Sequence, residues 1–168
     1  MYGRGATSIG VQIGVGVDEA RILLDKYFKA YQGVKKWLDN AGKDAVRRGY
    51  SVTILGRKRW YLMPDKADPN YERLLANIER QGKNTPRQGT SADITKFALI
   101  YINDRIKREK LDAFLIHTVH DEIVTESKAE IAQYVRDLVD EEMVRAAKTL
   151  LKVVKVLSDV KVADFWTH

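Results

Sequence analysis

Apolar residues recur at helical spacing in the first third of the chain and predict two helices there. The first helix begins near Val17 with Asp18 as its cap, and its apolar positions are Ile22, Leu23, Tyr27 and Phe28. The second helix covers residues 34–48, and Gly49 is suited to end it. Residues 1–16 are rich in glycine, which costs a helix about 1 kcal/mol per residue relative to alanine. That segment therefore predicts a mobile loop with short helical turns.

Runs of β-forming residues predict two antiparallel hairpins. The first covers residues 50–62, with a turn near Gly56. The second covers residues 113–126, where β-forming residues flank the polar tripeptide H-D-E at residues 120–122. A tip held by two strands is a rigid place to present carboxylates, which are hard oxygen ligands suited to Mg²⁺ or Mn²⁺. A polar turn without a chemical role is the alternative interpretation of the tripeptide.

The rest of the pattern predicts three more helices and one strand. Residues 70–82 form the first helix, and Pro86 must interrupt it because proline lacks the backbone N–H that continues a helix. The capping box T-S-A-D at residues 90–93 predicts that a new helix starts there. The longest helical pattern covers residues 128–152, and the β-branched run at residues 153–157 favours a strand.

Composition indicates an ordinary globular protein with a preference for an anionic partner. With 168 residues, 45% of them hydrophobic, the chain can form one core or part of a larger one. A net charge of +6 fits binding to nucleic acid, although many plain soluble proteins carry as much. The absence of cysteine excludes disulfides and thiolate metal sites. No apolar run approaches the ~20 residues of a membrane span, so we expect a soluble, intracellular protein.

Basic residues concentrate in two places. In the helix at residues 34–48, a solvated face explains the lysines and arginines as well as a phosphate-binding surface does. Arg57, Lys58 and Arg59 begin a strand, and the aromatic residues Trp60 and Tyr61 follow them. Consecutive cations at a strand start are costly unless they meet phosphate or solvent, so this segment predicts contact with nucleic acid.

Several motifs, in order along the chain, resemble those of family A DNA polymerases. Residues 119–122 read V-H-D-E, which is similar to a motif of that family, and residues 84–93 are similar to its N-x-P-x-Q-G-T-x-A-D signature. Further similarities lie at Tyr2-Gly3, Glu19-Ala20, Tyr27-Phe28, Tyr31, residues 56–59 with Pro64-Asp65, and Trp166, which is expected to pack back on the fold. Agreement of many segments over nearly the whole chain is far more specific than one tetrapeptide.

The resemblance implies an α+β fold. The expected architecture is a polymerase palm, with an antiparallel β-hairpin that carries the catalytic aspartate and is flanked by helices, plus part of the fingers. Residues 1–48 are assigned to the fingers, as the end of the nucleotide-binding helix and the helices after it. Residues 49–168 are assigned to the C-terminal part of the palm, so that the chain forms a single incomplete polymerase domain.

The resemblance also implies roles for residues of the catalytic centre. Asp121 matches the catalytic carboxylate that binds Mg²⁺, and Glu122 matches its acidic neighbour in a supporting catalytic role. His120 matches the residue near the 3′ end of the primer. Tyr2 matches the aromatic residue at the foot of the nucleotide-binding helix, beside the templating base.

Other residues are expected to bind DNA. Arg80, Asn84 and Gln88 match positions that contact the minor groove of the template-primer. Every base pair offers hydrogen-bond acceptors there, so a polymerase can sense the shape of a correct pair without reading the sequence. Arg57 and Arg59 are expected to contact DNA as well.

The implied activity is DNA-directed DNA polymerisation. It adds deoxynucleoside triphosphates to a primer paired with template DNA and uses two Mg²⁺ ions, with Mn²⁺ as a substitute, which several carboxylates must hold. The family's other metal-binding aspartate and its triphosphate-binding helix have no match in this sequence. We therefore expect activity only with a complementary N-terminal piece, supplied by a second polypeptide, in the cytoplasm of a cell or of a virus-infected host.

Two other interpretations of the sequence are kept. One is a noncatalytic nucleic-acid-binding remnant of a polymerase palm, and the other is a structural protein with a fortuitous motif. If part of a polymerase domain is missing, an apolar surface should be exposed where that part packs.

Overall fold

The computed structural model describes residues 5–166, which form a mixed architecture of helices and short antiparallel strands. The elements in chain order are α1 (Ala6–Ile13), α2 (Val17–Ala30), α3 (Gln32–Arg48), β1 (Tyr50–Val52), β2 (Lys58–Trp60), α4 (Tyr71–Glu109), β3 (Ala113–Val119), β4 (Glu122–Ser127), a 3₁₀ turn (Ala129–Ile131) and α5 (Ala132–Leu150). The strands pair as two separate two-stranded sheets, β1–β2 and β3–β4. The predicted α+β class is confirmed.

The chain divides into two compact units, one ending at Gly89 and the other beginning at Thr90. The first unit contains α1 to α3, the β1–β2 hairpin and the N-terminal part of α4. The second contains the rest of α4, the β3–β4 hairpin and α5. The assignment of residues 1–48 to fingers and 49–168 to palm stays a prediction. Among residues 5–166, no helix combines the length and the apolar character needed to cross a lipid bilayer.

The glycine-rich start of the chain is more regular than predicted. Residues 6–13 form the eight-residue helix α1, because packing against α2 compensates for the low helix propensity. A Cβ atom at Gly10 would lie 3.5 Å from the Cβ atom of Ala20, which is fully buried. α2 begins at Val17 as predicted, but its N-cap is Gly16, so the prediction of Asp18 as the cap is wrong. Asp18 lies in the first turn instead, where a carboxylate interacts favourably with the helix dipole.

α3 ends as predicted and packs closely on α4. Gly49 follows its last residue with φ 72°, the left-handed conformation that suits glycine. A Cβ atom at Gly82 of α4 would lie only 2.3 Å from the Cβ atom of Ala45 on α3. The missing side chain therefore lets the two helices pack in direct contact.

α4 runs without interruption past Pro86, so the predicted break there and the predicted new start at Thr90 are wrong. Proline inside a helix costs about 3 kcal/mol or more, because one hydrogen bond is lost and the ring crowds the preceding turn. Packing on both sides of Pro86 offsets this cost, since Ile78 before it and Ile102 after it are buried. Tertiary contacts override the local signal.

The first hairpin is confirmed with shorter strands than predicted. Tyr50 pairs with Trp60, Ser51 with Arg59 and Val52 with Lys58, and Gly56 in the connection has φ 80°. Side chains alternate across a strand, so Tyr50, Val52, Lys58 and Trp60 share one face, which we call the outer face of the first hairpin. The opposite face packs on α4.

A chain of hydroxyl groups anchors that inner face. The Tyr61 hydroxyl donates a hydrogen bond to the Ser51 Oγ atom over 3.0 Å and lies 3.1 Å from the Oγ1 atom of Thr85 on α4. Thr85 donates in turn to the carbonyl oxygen of Gln81 over 2.9 Å. Ser51 and Thr85 are both buried, so these bonds satisfy polar groups that water cannot reach.

An apolar core supports the second hairpin, which is also confirmed. The buried residues of this core are Ala98, Ile102, Ile106, Ala113, Val135, Leu138, Val139 and Ala146. Leu115 of β3 and Ile123 of β4 pack against them. The pairing of β3 with β4 is irregular between Leu115 and His117, which places Ile116 outside the register as in a β-bulge.

The last helix is confirmed, whereas the strand predicted after it is wrong. The 3₁₀ turn and α5 together cover most of residues 128–152. Residues 153–157 form no strand, and Val153 is 97% exposed. A β-branched run needs a neighbouring strand to pair with, and within residues 5–166 this one has none. Trp166 packs back as predicted, with its ring edge-on to His117 at a centroid distance of 5.8 Å.

Candidate active site and nucleic-acid interface

The carboxylate tip, defined as residues 120–122, lies where β3 turns into β4. Val119 pairs with Glu122, so His120 and Asp121 form a two-residue connection. His120 has φ 53°, the left-handed conformation that tight two-residue hairpin turns need at this position. Next to the turn, the Thr118 hydroxyl donates to the carbonyl oxygen of Glu122 over 3.0 Å. Local pairing therefore defines the conformation of the tip.

The side chains of the carboxylate tip are exposed, although the base of the hairpin is packed in the core. The Asp121 carboxylate forms no hydrogen bond and no ion pair with the rest of residues 5–166. An exposed carboxylate on a packed base is accessible to a cation and has no competing cationic partner within its own chain segment.

The donor set of the carboxylate tip is suitable for a divalent cation but incomplete. Asp121 and Glu122 offer the carboxylate oxygens that Mg²⁺ and Mn²⁺ prefer. Over residues 5–166, however, no three histidine, aspartate or glutamate side chains come together as a possible metal-binding group. The carboxylate tip therefore provides part of a ligand set.

The face of the β3–β4 sheet that lies away from the core carries exposed apolar side chains. Phe114 is 59% exposed and Ile116, at the bulge, is 55% exposed. Exposed apolar patches of this kind are typical of surfaces that bind other protein segments. That this is the surface on which a missing part of a polymerase domain packs stays a prediction.

In the first unit, Arg80, Asn84 and Gln88 form a polar stripe along α4. They are four residues apart on a continuous helix, so they follow one side of it over a rise of about 12 Å. Arg80 and Gln88 are exposed, and the Arg80 guanidinium donates to the Oδ1 atom of Asn77 over 2.8 Å. A helix break at Pro86 would have separated Gln88 from the other two.

Arg57 and Arg59 reach α4 beside the polar stripe. The Nη2 atom of Arg59 donates to the Oε1 atom of Gln81 over 2.6 Å, and the Nη2 atom of Arg57 donates to the carbonyl oxygen of Gly89 over 3.1 Å. Gln81 and Gly89 directly follow residues of the stripe. The first unit thus brings together the predicted DNA-binding residues other than His120, which belongs to the second unit, and Tyr2 lies outside the described residues.

Lys58 is oriented differently from its two arginine neighbours, a difference that the sequence did not predict. It lies on the outer face of the first hairpin, with its Nζ atom 4.9 Å from the ring centroid of Tyr50 and 5.4 Å from that of Trp60. The two rings are 4.8 Å apart. The period-two alternation of a strand was the signal that could have separated Lys58 from Arg57 and Arg59.

A network of ion pairs and hydrogen bonds joins α4 and α5 in the second unit. Hydrogen bonds from Tyr134 at 2.5 Å and from Arg105 at 3.0 Å hold the pKa of the Glu109 carboxyl below its usual value. A hydrogen bond to Glu141 at 2.5 Å raises the pKa of Arg105 above its usual value. Glu142 is buried and accepts from Arg105 at 3.3 Å. The network holds two helices together and contains no residue of the carboxylate tip.

Sequence comparison defines the class to which this fold and these motifs belong. The family described as DNA polymerase family A matches the chain over residues 1–168. The chain therefore belongs to DNA polymerase family A, as the motifs predicted.

Individual relatives of known sequence or structure agree with this family assignment. The chain is 35% identical over 146 residues to DNA polymerase I of Bacillus caldotenax and 30% identical over 161 residues to DNA polymerase I of Aquifex aeolicus. These alignments cover 87% and 95% of this chain, but only 16% and 25% of the relatives. A solved structure, the POL domain of Pol1 from M. smegmatis in complex with DNA primer-template and dNTP, is 31% identical with a TM-score of 0.74. That match covers 86% of this chain and 25% of the solved one.

Proposed function

We propose that this chain supplies the C-terminal part of the active site of a template-directed DNA polymerase, which adds deoxynucleoside triphosphates to the 3′ end of a primer. The observation that carries the proposal is the exposed Asp121 carboxylate at the tip of the β3–β4 hairpin, inside a V-H-D-E sequence of a family A chain. The M. smegmatis relative was solved with primer-template DNA and dNTP, which supports the same ligands here. We place the activity in the cytoplasm.

The carboxylate tip would hold a divalent cation through Asp121, with Glu122 supporting it and His120 next to the primer terminus. Family A polymerases generally use divalent metal ions, and Mg²⁺, with Mn²⁺ as a substitute, suits carboxylate donors. When bound, a pair of such ions lowers the pKa of the primer hydroxyl and neutralises the leaving pyrophosphate. The two-residue turn fixes the backbone of Asp121 between two paired strands.

The first unit would hold the DNA. The polar stripe offers amide and guanidinium donors to the minor groove, where acceptors are common to all base pairs. Arg57 and Arg59, fixed by α4 beside the stripe, would neutralise phosphates. Tyr2 would stack beside the templating base. Residues 1–48 would then belong to the fingers and residues 49–168 to the palm.

Catalysis would require groups that this chain does not provide. The donor set of the carboxylate tip is incomplete within residues 5–166, and the chain spans 16% to 25% of the relatives above. We propose that the remaining carboxylate and the triphosphate-binding helix come from the region that these relatives have in addition, on a second polypeptide or a longer one. The exposed apolar face at Phe114 and Ile116 is a suitable contact for that region.

The incomplete donor set also favours a second candidate function, a noncatalytic DNA-binding remnant of a palm. The polar stripe and the arginines of the first hairpin, Arg57 and Arg59, would bind DNA in either case. Only the enzyme needs Asp121.

A chimera separates the two functions. In it, this chain replaces the matching region of the Bacillus caldotenax polymerase, and primer extension with Mg²⁺ and the Kd for primer-template are measured. For the enzyme, Asp121→Asn lowers extension by at least about 100-fold, since several kcal/mol of transition-state stabilisation are lost. The Kd should change by less than about twofold, because Asp121 contributes no cation for phosphate binding.

Asp104→Asn is the matched control, since Asp104 is an exposed aspartate of α4 and does not belong to the carboxylate tip. It should leave both extension and affinity unchanged. A chimera that binds primer-template normally but never extends it supports the remnant. Extension by the isolated chain alone would contradict the need for further groups.

A further inference from the structure

The outer face of the first hairpin presents an aromatic and cationic surface to which the proposed polymerase function gives no role. Trp60 is 67% exposed, and its ring lies 4.8 Å from that of Tyr50. Lys58 lies within 5.4 Å of both ring centroids. Cation–π attraction at such distances holds the ammonium group beside the rings. A short sheet therefore displays a fixed cation next to an accessible indole.

Packing within the first unit does not account for this arrangement. The inner face carries the buried side chains Ser51 and Thr53, whereas Lys58 and Trp60 are both exposed. An indole left in water contributes little to folding, because the hydrophobic gain requires that its area be buried. The outer face is thus available for a ligand.

The charge of the hairpin selects an anionic ligand. Arg57 and Arg59 are held against α4, so Lys58 is the cation of the run that the outer face presents. A phosphate next to Trp60 would meet this ammonium and the positive potential of the two arginines behind it. An aromatic ring beside a cation fits a ligand that alternates π-faces with phosphates.

We propose that the outer face of the first hairpin binds single-stranded nucleic acid, with one base stacked on Trp60 and a neighbouring phosphate paired with Lys58. A base offers its π-face only when it is unstacked from its neighbours, so a duplex could use the cation but not the ring. The inference goes beyond polymerisation and requires no catalysis. Primer extension and this binding can therefore succeed or fail separately.

The test uses the 168-residue chain and a fluorescein-labelled oligo(dT) of about 12 nucleotides, within the range that such sites occupy. Trp60→Ala should weaken the Kd by about 5- to 100-fold, because base–ring stacking is lost. Trp60→Phe should restore most of the affinity. Trp37→Ala is the matched control, since Trp37 is an exposed tryptophan on α3, and it should bind like the unaltered chain.

Lysine variants test the phosphate contact. Lys58→Ala should reduce the slope of log K against log salt concentration by about 0.7, as expected for one phosphate contact on a single strand. Lys66→Ala, which removes an exposed lysine of the following loop, should leave the slope unchanged. Circular dichroism of each variant verifies that it is folded.

Three results would overturn the proposal. In the first, Trp60→Ala and Trp37→Ala bind oligo(dT) equally well. In the second, Trp60→Ala weakens binding to a duplex of equal length as much as to the single strand. In the third, Trp60→Phe removes no acrylamide-quenchable fluorescence from the chimera, which would mean that protein and not nucleic acid covers the outer face.

Discussion

The two hairpins of this chain have the same antiparallel pairing but are supported by different forces. The first rests on α4 through polar bonds, namely that of Tyr61 to Thr85 and that of Arg59 to Gln81. The second rests on an apolar core, into which Leu115 and Ile123 pack. A two-stranded sheet is at best marginally stable alone, so each depends on the helix beneath it.

The kind of support differs in the same way as the functional groups that the two hairpins carry. Polar anchoring holds Arg57 and Arg59 at the helix surface, where cations can meet phosphates. Apolar anchoring needs no polar group at the carboxylate tip, so Asp121 stays available for a ligand. We expect perturbations to separate the two kinds of support.

The largest effect should come from the apolar support. Leu138 is 1% exposed in the core under the second hairpin, so Leu138→Ala should lower the free energy of unfolding by about 2–5 kcal/mol. Urea denaturation measures this change. Leu62→Ala is the control, because Leu62 is 96% exposed and its truncation should cost almost nothing. Equal costs for the two variants would refute the core described here.

A smaller effect is expected where the first hairpin meets α4. A Cβ atom at Gly89 would lie 2.4 Å from the Cγ2 atom of Thr53, so Gly89→Ala should destabilise the chain by about 1–3 kcal/mol. Thermal unfolding is the measurement. Gly33→Ala on α3 meets nothing within 4 Å and should be neutral or stabilising. Stabilisation by both substitutions would show that the hairpin does not pack on α4 at Gly89.

The hydroxyl chain should contribute less. Tyr61→Phe removes a bond to each of Ser51 and Thr85, and we expect a loss of about 1–2 kcal/mol because buried hydroxyl groups lose partners. Urea denaturation of this variant is compared with that of Tyr50→Phe. The Tyr50 hydroxyl has no hydrogen-bond partner among residues 5–166, so its removal should be neutral. If the two variants are equally stable, polar anchoring of the first hairpin is wrong.

Acid should have the smallest effect and should act on the second unit. Hydrogen bonds from Tyr134 and Arg105 hold the pKa of Glu109 below its ordinary value of 4.5. A carboxyl whose pKa is lowered by folding contributes stability above its unfolded pKa, and that stability is lost as the pH falls through the folded pKa. Stability should therefore decline below about pH 4.5, and Glu109→Gln should flatten the decline.

The anchors of the first hairpin are hydroxyl groups, an amide and arginines, which do not titrate in mild acid. Hydrogen exchange along the chain between pH 5 and about pH 3 can compare the two hairpins. Protection that is lost first in β1 and β2 would contradict this assignment.

The sequence predicted both hairpins, the family and most of the helices, because these depend on local patterns. Alternation located the strands, and the polar tripeptide located the tip between β3 and β4. Predictions failed where a local signal met tertiary packing. Pro86 and Thr90 predicted a break that packing of α4 overrides, and residues 153–157 predicted a strand that has no partner to pair with.

For the candidate site, too, some features followed from local sequence and others required the tertiary structure. Motifs alone located Asp121 and the residues of the polar stripe, because motif positions are written in the sequence. The stripe as a surface required the continuous helix α4, and the position of Lys58 beside both Tyr50 and Trp60 required the register of β1 with β2. Neither can be read from composition or spacing alone.

By itself, the sequence determined that this is a mixed α+β chain of DNA polymerase family A with a carboxylate between two strands. Periodicity and short motifs depend on residues that are close together in the sequence, so they can be recognised without a structure. Only the tertiary structure decided that α4 continues past Pro86, that Arg57 and Arg59 turn to that helix, and that Lys58 lies beside the rings of Tyr50 and Trp60. Those outcomes depend on packing and hydrogen bonds between residues far apart in the chain, which no local pattern encodes.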